Sequence, residues 1–172
     1  MPVVASMGLK KIFAFEKTSE QTQATMPATS ATGWFDLGDV YKDTCTLKDD
    51  DPSETKHESE TSSKKIIQTE EGDTTVELSL MDPDMALLTK YFGGTVTGNA
   101  GARKWVRPRK LPYKEFAIMI FPEEGFCVQS ACVKITPKFE ITYSSKGIAL
   151  VPMKITFTEP MATEEGVTQP TV

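Results

Sequence analysis

A chain of 172 residues with 39% hydrophobic composition is sized for one domain and can bury a core without disulfides or metals. Its net charge of -5 disfavours general nucleic-acid binding, which needs a basic surface, although a local basic site is still open. No stretch approaches the ~18 apolar residues of a membrane span, no apolar run beside Lys10 and Lys11 is long enough for a signal peptide, and three cysteines argue for reduced thiols over a disulfide framework.

Residues 9–15 are short and apolar, and read either as a strand or as an anchoring arm. Residues 18–32 are rich in Thr, Ser, Ala and Gln and lack periodicity, so residues 1–33 read as an N-terminal arm with a flexible linker. The folded unit is expected over residues 34–160, opening on Trp34-Phe35-Asp36-Leu37-Gly38-Asp39-Val40. A short strand is expected at residues 44–47, followed by an Asp- and Pro-rich turn. Residues 54–61 are polar at every position. They form either a solvated loop or a long β-arm that finds its partner on another chain.

Ile66 and Ile67 precede a turn at Glu70-Glu71-Gly72-Asp73. Val76, Leu78 and Leu80 then alternate with Thr75, Glu77 and Ser79, the pattern of a half-buried strand. A helix is expected over about residues 83–92: Asp82 is placed to cap it, Pro83 suits the first position, Asp84 suits the dipole, and Gly93-Gly94 stops it. Residues 95–97 read as a short strand, residues 115–121 as a buried strand, residues 126–135 as another. Phe139, Ile141 and Tyr143 suggest a further strand, and Met153, Ile155 and Phe157 a last one, with Pro152 marking an edge or a bulge. Residues 161–172 read as a disordered tail. Many short strands with one helix make a mainly β fold, a small β-sandwich or barrel with one flanking α-helix.

No catalytic constellation is visible, and no cofactor or metal motif. The single histidine, His57, lies in the most polar segment and reads as exposed and without a role. Cys127 and Cys132 are five apart, which in a regular strand sends them to opposite faces, so they cannot share a zinc. With Cys45 they read as small core residues. The pairs Glu70-Glu71 and Glu123-Glu124 sit in turns and read as solvated, and no phosphate-binding loop is present.

Charge is distributed more tellingly. Residues 49–60 hold six acids (Asp49, Asp50, Asp51, Glu54, Glu58, Glu60) and one base, whereas residues 103–114 hold six bases (Arg103, Lys104, Arg107, Arg109, Lys110, Lys114) and no acid. Three readings stand: two solvated loops; a nucleic-acid-binding module with Trp105 as a stacking platform; or head-to-tail assembly, the acidic patch of one copy meeting the basic patch of the next.

The order Trp34-Phe35-Asp36-Leu37-Gly38-Asp39-Val40, an acidic turn with a polar arm, Val76-Glu77-Leu78-Ser79-Leu80-Met81-Asp82-Pro83-Asp84, and then Tyr91-Phe92-Gly93-Gly94-Thr95 resembles the tail tube proteins of siphophages, over most of residues 34–160. The resemblance implies a non-enzymatic structural subunit that needs no cofactor. Six copies would close a ring, rings would stack into a virion tail tube, and DNA would pass through the lumen without specific binding. It also implies partners in the tape measure protein, a tail terminator and baseplate proteins, and synthesis in the host cytoplasm. A basic run facing the lumen would grip phosphates, so that run is expected at a subunit contact or on the outer wall.

Overall fold

The structure, a computed structural model, describes residues 7–17, 25–81, 84–141 and 145–172. Among the described residues it is a mainly β fold with one helix, as expected. The main sheet takes β1 (Lys11–Glu16), β2 (Trp34–Asp36), β3 (Thr46–Asp49), β6 (Thr74–Met81), β9 (Glu115–Phe121), β10 (Cys127–Pro137), β11 (Leu150–Phe157) and β12 (Ala162–Glu164). Two further antiparallel hairpins stand outside it: β4 (Ser53–Glu58) with β5 (Lys65–Glu70), and β7 (Thr95–Thr97) with β8 (Lys104–Val106).

The strand order β2-β1-β9-β10-β11-β6-β3 looks open, but the chain closes it. Residues 34–37 lie along β1, with Leu37 N–H donating to Ile12 O at 2.8 Å. After a corner at Gly38, where φ is 119°, residues 39–41 lie along β6 instead. There Tyr41 N–H donates to Ser79 O and Met81 N–H to Asp39 O, at 2.8 and 2.7 Å. One segment thus serves both ends of the sheet and makes a barrel. A side chain there would be strained in its backbone, and its Cβ, 3.2 Å from Leu87 Cδ1, would have to push that side chain aside.

The barrel interior holds Ile12, Ala14, Phe35, Leu37, Val76, Leu78, Leu80, Phe116, Ile118, Val133 and Ile155, all buried. One mouth is plugged by α1 (Met85–Phe92), through the fully buried Phe92 and through Tyr91, whose hydroxyl donates to Leu37 O at 2.7 Å. Asp84 caps this helix by accepting Leu87 N–H at 2.8 Å, and Gly93 ends it. The capping role assigned to Asp82 therefore belongs to Asp84. The chain leaves β6 only at Met81, so the first free N–H groups fall within reach of the second aspartate; Asp82 and Pro83 lie outside the described residues.

A second buried cluster covers the outer side of β1 and β9: Phe13, Phe15, Trp34, Ala117, Met119, Phe121 and Cys127. It is roofed by Met26 and Ala31 from one side and Val167 from the other. Residues 9–15 thus supply a strand buried on both faces, which explains its continuous apolar run. Residues 25–32, the described part of the presumed linker, turn over this cluster, and Trp34 Nε1 donates to Ala28 O at 2.8 Å. The tail read as disordered contains β12, paired with β10 through Cys127–Glu164, Val128–Thr163 and Gln129–Ala162.

Three further expectations change. A bulge between Ser130 and Val133 cancels the odd spacing in β10: Val128 and Val133, also five apart, both enter the barrel core. Cys127 and Cys132 accordingly share the outer face instead of opposing one another. The strand expected around Phe139 is reduced to a single bridge, Glu140 with Leu150, because Phe139 turns aside into a ring cluster; Tyr143 lies outside the described residues. The alternative at Pro152 narrows to a local edge, with no bulge: the β10–β11 ladder ends one residue away, at Pro137 with Met153. Pro152 sits inside β11 opposite Ser79, whose own N–H and C=O bond to Thr44 and Tyr41. The N–H that Pro152 lacks would face the spent end of β10, where only Lys138 N–H reaches back to Pro152 O.

Candidate assembly surfaces

β6 fixes where the two charged segments lie. The β4–β5 hairpin leaves the barrel before Thr74, and α1 with the β7–β8 hairpin follows Met81. The seven steps from Thr74 to Met81, at ~3.3 Å each, separate these exits by roughly 23 Å. The acidic and basic segments therefore occupy opposite ends of one rigid barrel.

At the first end, β3 and β6 pair down to Asp49 with Thr74, and Asp50 N–H donates to Asp73 O at 2.9 Å. Gly72 passes so close that a Cβ there would meet Asp50 O at 1.9 Å. Asp49, Asp50 and Asp51 are thus joined at the hairpin root by Glu70, Glu71 and Asp73, which the sequence places only in a turn. Pairing of β4 with β5 brings the two acidic runs together, and that pairing was invisible without knowing that residues 65–70 return antiparallel. Further out the surplus fades. Glu54 and Glu58 share a face with Lys56 and Lys65, and Lys65 pairs with Glu58 at 2.8 Å. Glu60 lies beyond that outermost rung. The polar arm finds its strand partner in its own chain, yet every residue of β4 and β5 is exposed.

At the opposite end, Trp105 anchors the β7–β8 hairpin. Its Nε1 donates to Gly93 O at 2.9 Å, and its ring packs against Phe92 and Phe139, centroids 5.8 and 6.1 Å away. The indole is therefore half-buried and held by its own chain, where helix end and strand end converge on it. Arg103, Lys104, Arg107, Arg109 and Lys110 are exposed around it, with the Arg107 guanidinium 5.3 Å from the Phe92 ring centre. Lys114 is drawn off to Glu16 at 3.1 Å. Val96, Val106, Leu111 and Ile148 add exposed apolar area to this basic end.

Chemistry at either end is sparse. Burial raises the thiol pKa of Cys45 and Cys132, and pushes that of Cys127 up to about 11, so none is an activated nucleophile. Among the described residues no His, Cys, Asp and Glu side chains are grouped to hold a metal ion, and no helix is long and apolar enough to cross a membrane. A cleft of about 840 Å³ opens between the start of β1, residues 36–47 and the β9–β10 turn, but its lysines (Lys10, Lys11, Lys42) alternate with carboxylates, and Lys11 is tied to Asp36.

A family model described as phage tail tube protein matches residues 3–167. Among solved structures, a chain from the cryo-EM structure of an extracellular contractile injection system, PVC sheath/tube terminator in extended state, is 9% identical, with 94% of this chain and 99% of that one covered. Its TM-score is 0.36, too distant a likeness to carry an argument. No curated protein matches the chain.

Proposed function

The chain belongs to the phage tail tube protein family, and from that premise we propose that it is a non-enzymatic structural subunit that self-assembles into stacked rings, six copies to a ring, forming the tail tube through which DNA passes. The single observation that carries the stacking is the placement of two hairpins of opposite charge at opposite ends of one closed barrel. Such a contact is heterologous: what one copy offers, the next receives, and repetition makes rings or filaments. One exposed ion pair contributes little, but a ring repeats the contact around its circumference, and simultaneous contacts multiply. In this reading the acidic root (Asp49, Asp50, Asp51) meets the basic end (Arg103, Lys104, Arg107, Arg109, Lys110), with Glu54, Glu58 and Glu60 further along the arm. The basic residues are thereby covered at a subunit contact, not turned to the lumen. The tape measure protein, a terminator and baseplate proteins would be the other partners, and the virion tail the location, after synthesis in the host cytoplasm.

The test is charge reversal with rescue. Arg107→Glu with Arg109→Glu should abolish polymer seen by negative-stain electron microscopy, and mixing with an Asp50→Lys, Asp51→Lys copy should restore mixed polymer. Polymer yield untouched by the reversal would sink the charge contact. Strongly salt-dependent DNA binding by the monomer, lost in the same variant, would favour a nucleic-acid-binding module instead.

A further inference from the structure

We infer that residues 1–6 of the chain fill the cleft between the start of β1, residues 36–47 and the β9–β10 turn, and so complete the barrel on its open side. The inference stands apart from the tube reading, because it concerns a single copy.

The barrel wall is closed at one level and open beside it. At Gly38 one segment joins β1 to β6, but past that corner the two sides part. β3 ends the strand order with β6 alone beside it, and no described strand pairs with residues 9–11 on the side away from β9. The cleft of about 840 Å³ lies between these two edges. Apolar side chains there face the interior and stay wet. Leu47 stands directly opposite Val76 and shares its face, yet Val76 is fully buried and Leu47 is 40% exposed. Phe126, which lines the cleft with the buried Val128, is 37% exposed. This is a core that lacks one piece.

Composition names the piece. Residues 1–6, Met-Pro-Val-Val-Ala-Ser, carry no charged side chain, and the β-branched Val3 and Val4 suit an extended strand. The other stretches outside the described residues, 18–24, 82–83 and 142–144, contain no Val, Ile, Leu, Met or Phe. Position agrees with composition. Met7, the next residue, exchanges backbone hydrogen bonds with Glu124 at 2.9 and 3.2 Å, and Gly8 and Glu123 line the cleft. The segment is therefore tethered at the rim, and six residues at ~3.3 Å each reach roughly 20 Å. A strand from a second copy would compete against one held at high effective concentration by its own chain. The family match begins at residue 3, so Val3 and Val4 belong to the matched unit. Laid across the opening as a strand, the segment turns one of these valines inward and the other outward.

Cys45 lines the cleft and serves as a native reporter, with Cys127 and Cys132 buried. Maleimide labelling of Cys45 should be slow in the whole chain and about tenfold faster once residues 2–6 are deleted. Equal rates would overturn the inference. Should the shortened chain lose its fold by circular dichroism, the full-length chain decides. In a Cys45→Ser background, Val3→Cys or Val4→Cys is combined with Leu47→Cys and treated with dibromobimane, which fluoresces when it bridges two thiols. One of the two pairs should bridge within a single chain. Bridges only between chains would give the cleft to a second copy, and no bridge in either pair would leave it unfilled. Each result overturns the inference, and neither touches the tube reading.

Discussion

β1 and β5 are both six residues long, both begin Lys-Ile and both end in Glu, yet four residues of β1 are buried and none of β5 is. The difference lies in their neighbours. β1 runs between β2 and β9, over the barrel core on one side and under the 25–33 turn and Val167 on the other. β5 has β4 alone. A strand with four apolar residues can be covered by its own chain because enough apolar area exists to gather those covers around it. A strand with two has too little to draw any part of its own barrel over it, and a bare two-stranded ribbon is marginal in water. The molecule is thus finished in its barrel and unfinished in its hairpin.

The largest break in that contrast comes from β1. Phe13→Ala removes a ring set edge-on against Phe121 at 5.8 Å in the outer cluster, and should cost about 3–5 kcal/mol in urea unfolding of the monomer. A smaller loss would mean the outer cluster is dispensable.

An intermediate effect is expected at the barrel mouth. Tyr91→Phe leaves Leu37 O buried without its donor, at a cost of about 1–2 kcal/mol. It should also change the alkaline limb. Burial first, and the Asp36 charge second, hold the Tyr91 phenol far above its ordinary 10. Its contribution is therefore fully present below pH 10 and is lost as pH rises beyond it, where the unfolded phenol ionises and the folded one does not. Stability of Tyr91→Phe should fall less steeply there, and parallel slopes would show that Tyr91 does not govern the limb.

The smallest effect sharpens the comparison from the other side. Ile66→Ala should alter monomer stability by less than about 0.5 kcal/mol, although it lies in a strand of the same length and opening residues as β1. A loss resembling that of Phe13→Ala would show that the hairpin packs on its own barrel.

Much of this was legible in the sequence wherever local pattern and tertiary environment agree. The alternation of β6, the unbroken run of β9 and the glycine stop of α1 each follow from one element's own burial. What escaped depends on distant partners. Nothing near Gly38 says that the residues before it pair with β1 and those after it with β6, because barrel closure joins segments some forty residues apart. The bulge in β10 inverts the face of Cys132 without leaving a glycine or proline as a signal. Capping by Asp84 over Asp82 was settled by how far β6 runs. The acidic and basic runs were legible as charge, but their separation to opposite ends of a barrel required the register of β6, and the growth of the acidic root to include Glu70, Glu71 and Asp73 required the pairing of β4 with β5.

The pinch at Gly72 bears on mechanics. A hairpin joined through a loose loop would swing, and any load on its tip would be spent in the joint. Here the root is clamped: Gly72 lies against Asp50 with no space for a side chain, Asp50 N–H holds Asp73 O, and the Thr74 hydroxyl donates to Asp49 Oδ1 at 2.6 Å. The hairpin is a cantilever built into the wall, and its continuation is β6, whose Val76, Leu78 and Leu80 are locked in the core. In the proposed polymer, bending would press on close-packed side chains of low compressibility, so that its stiffness would be set by the barrels and not by the arms.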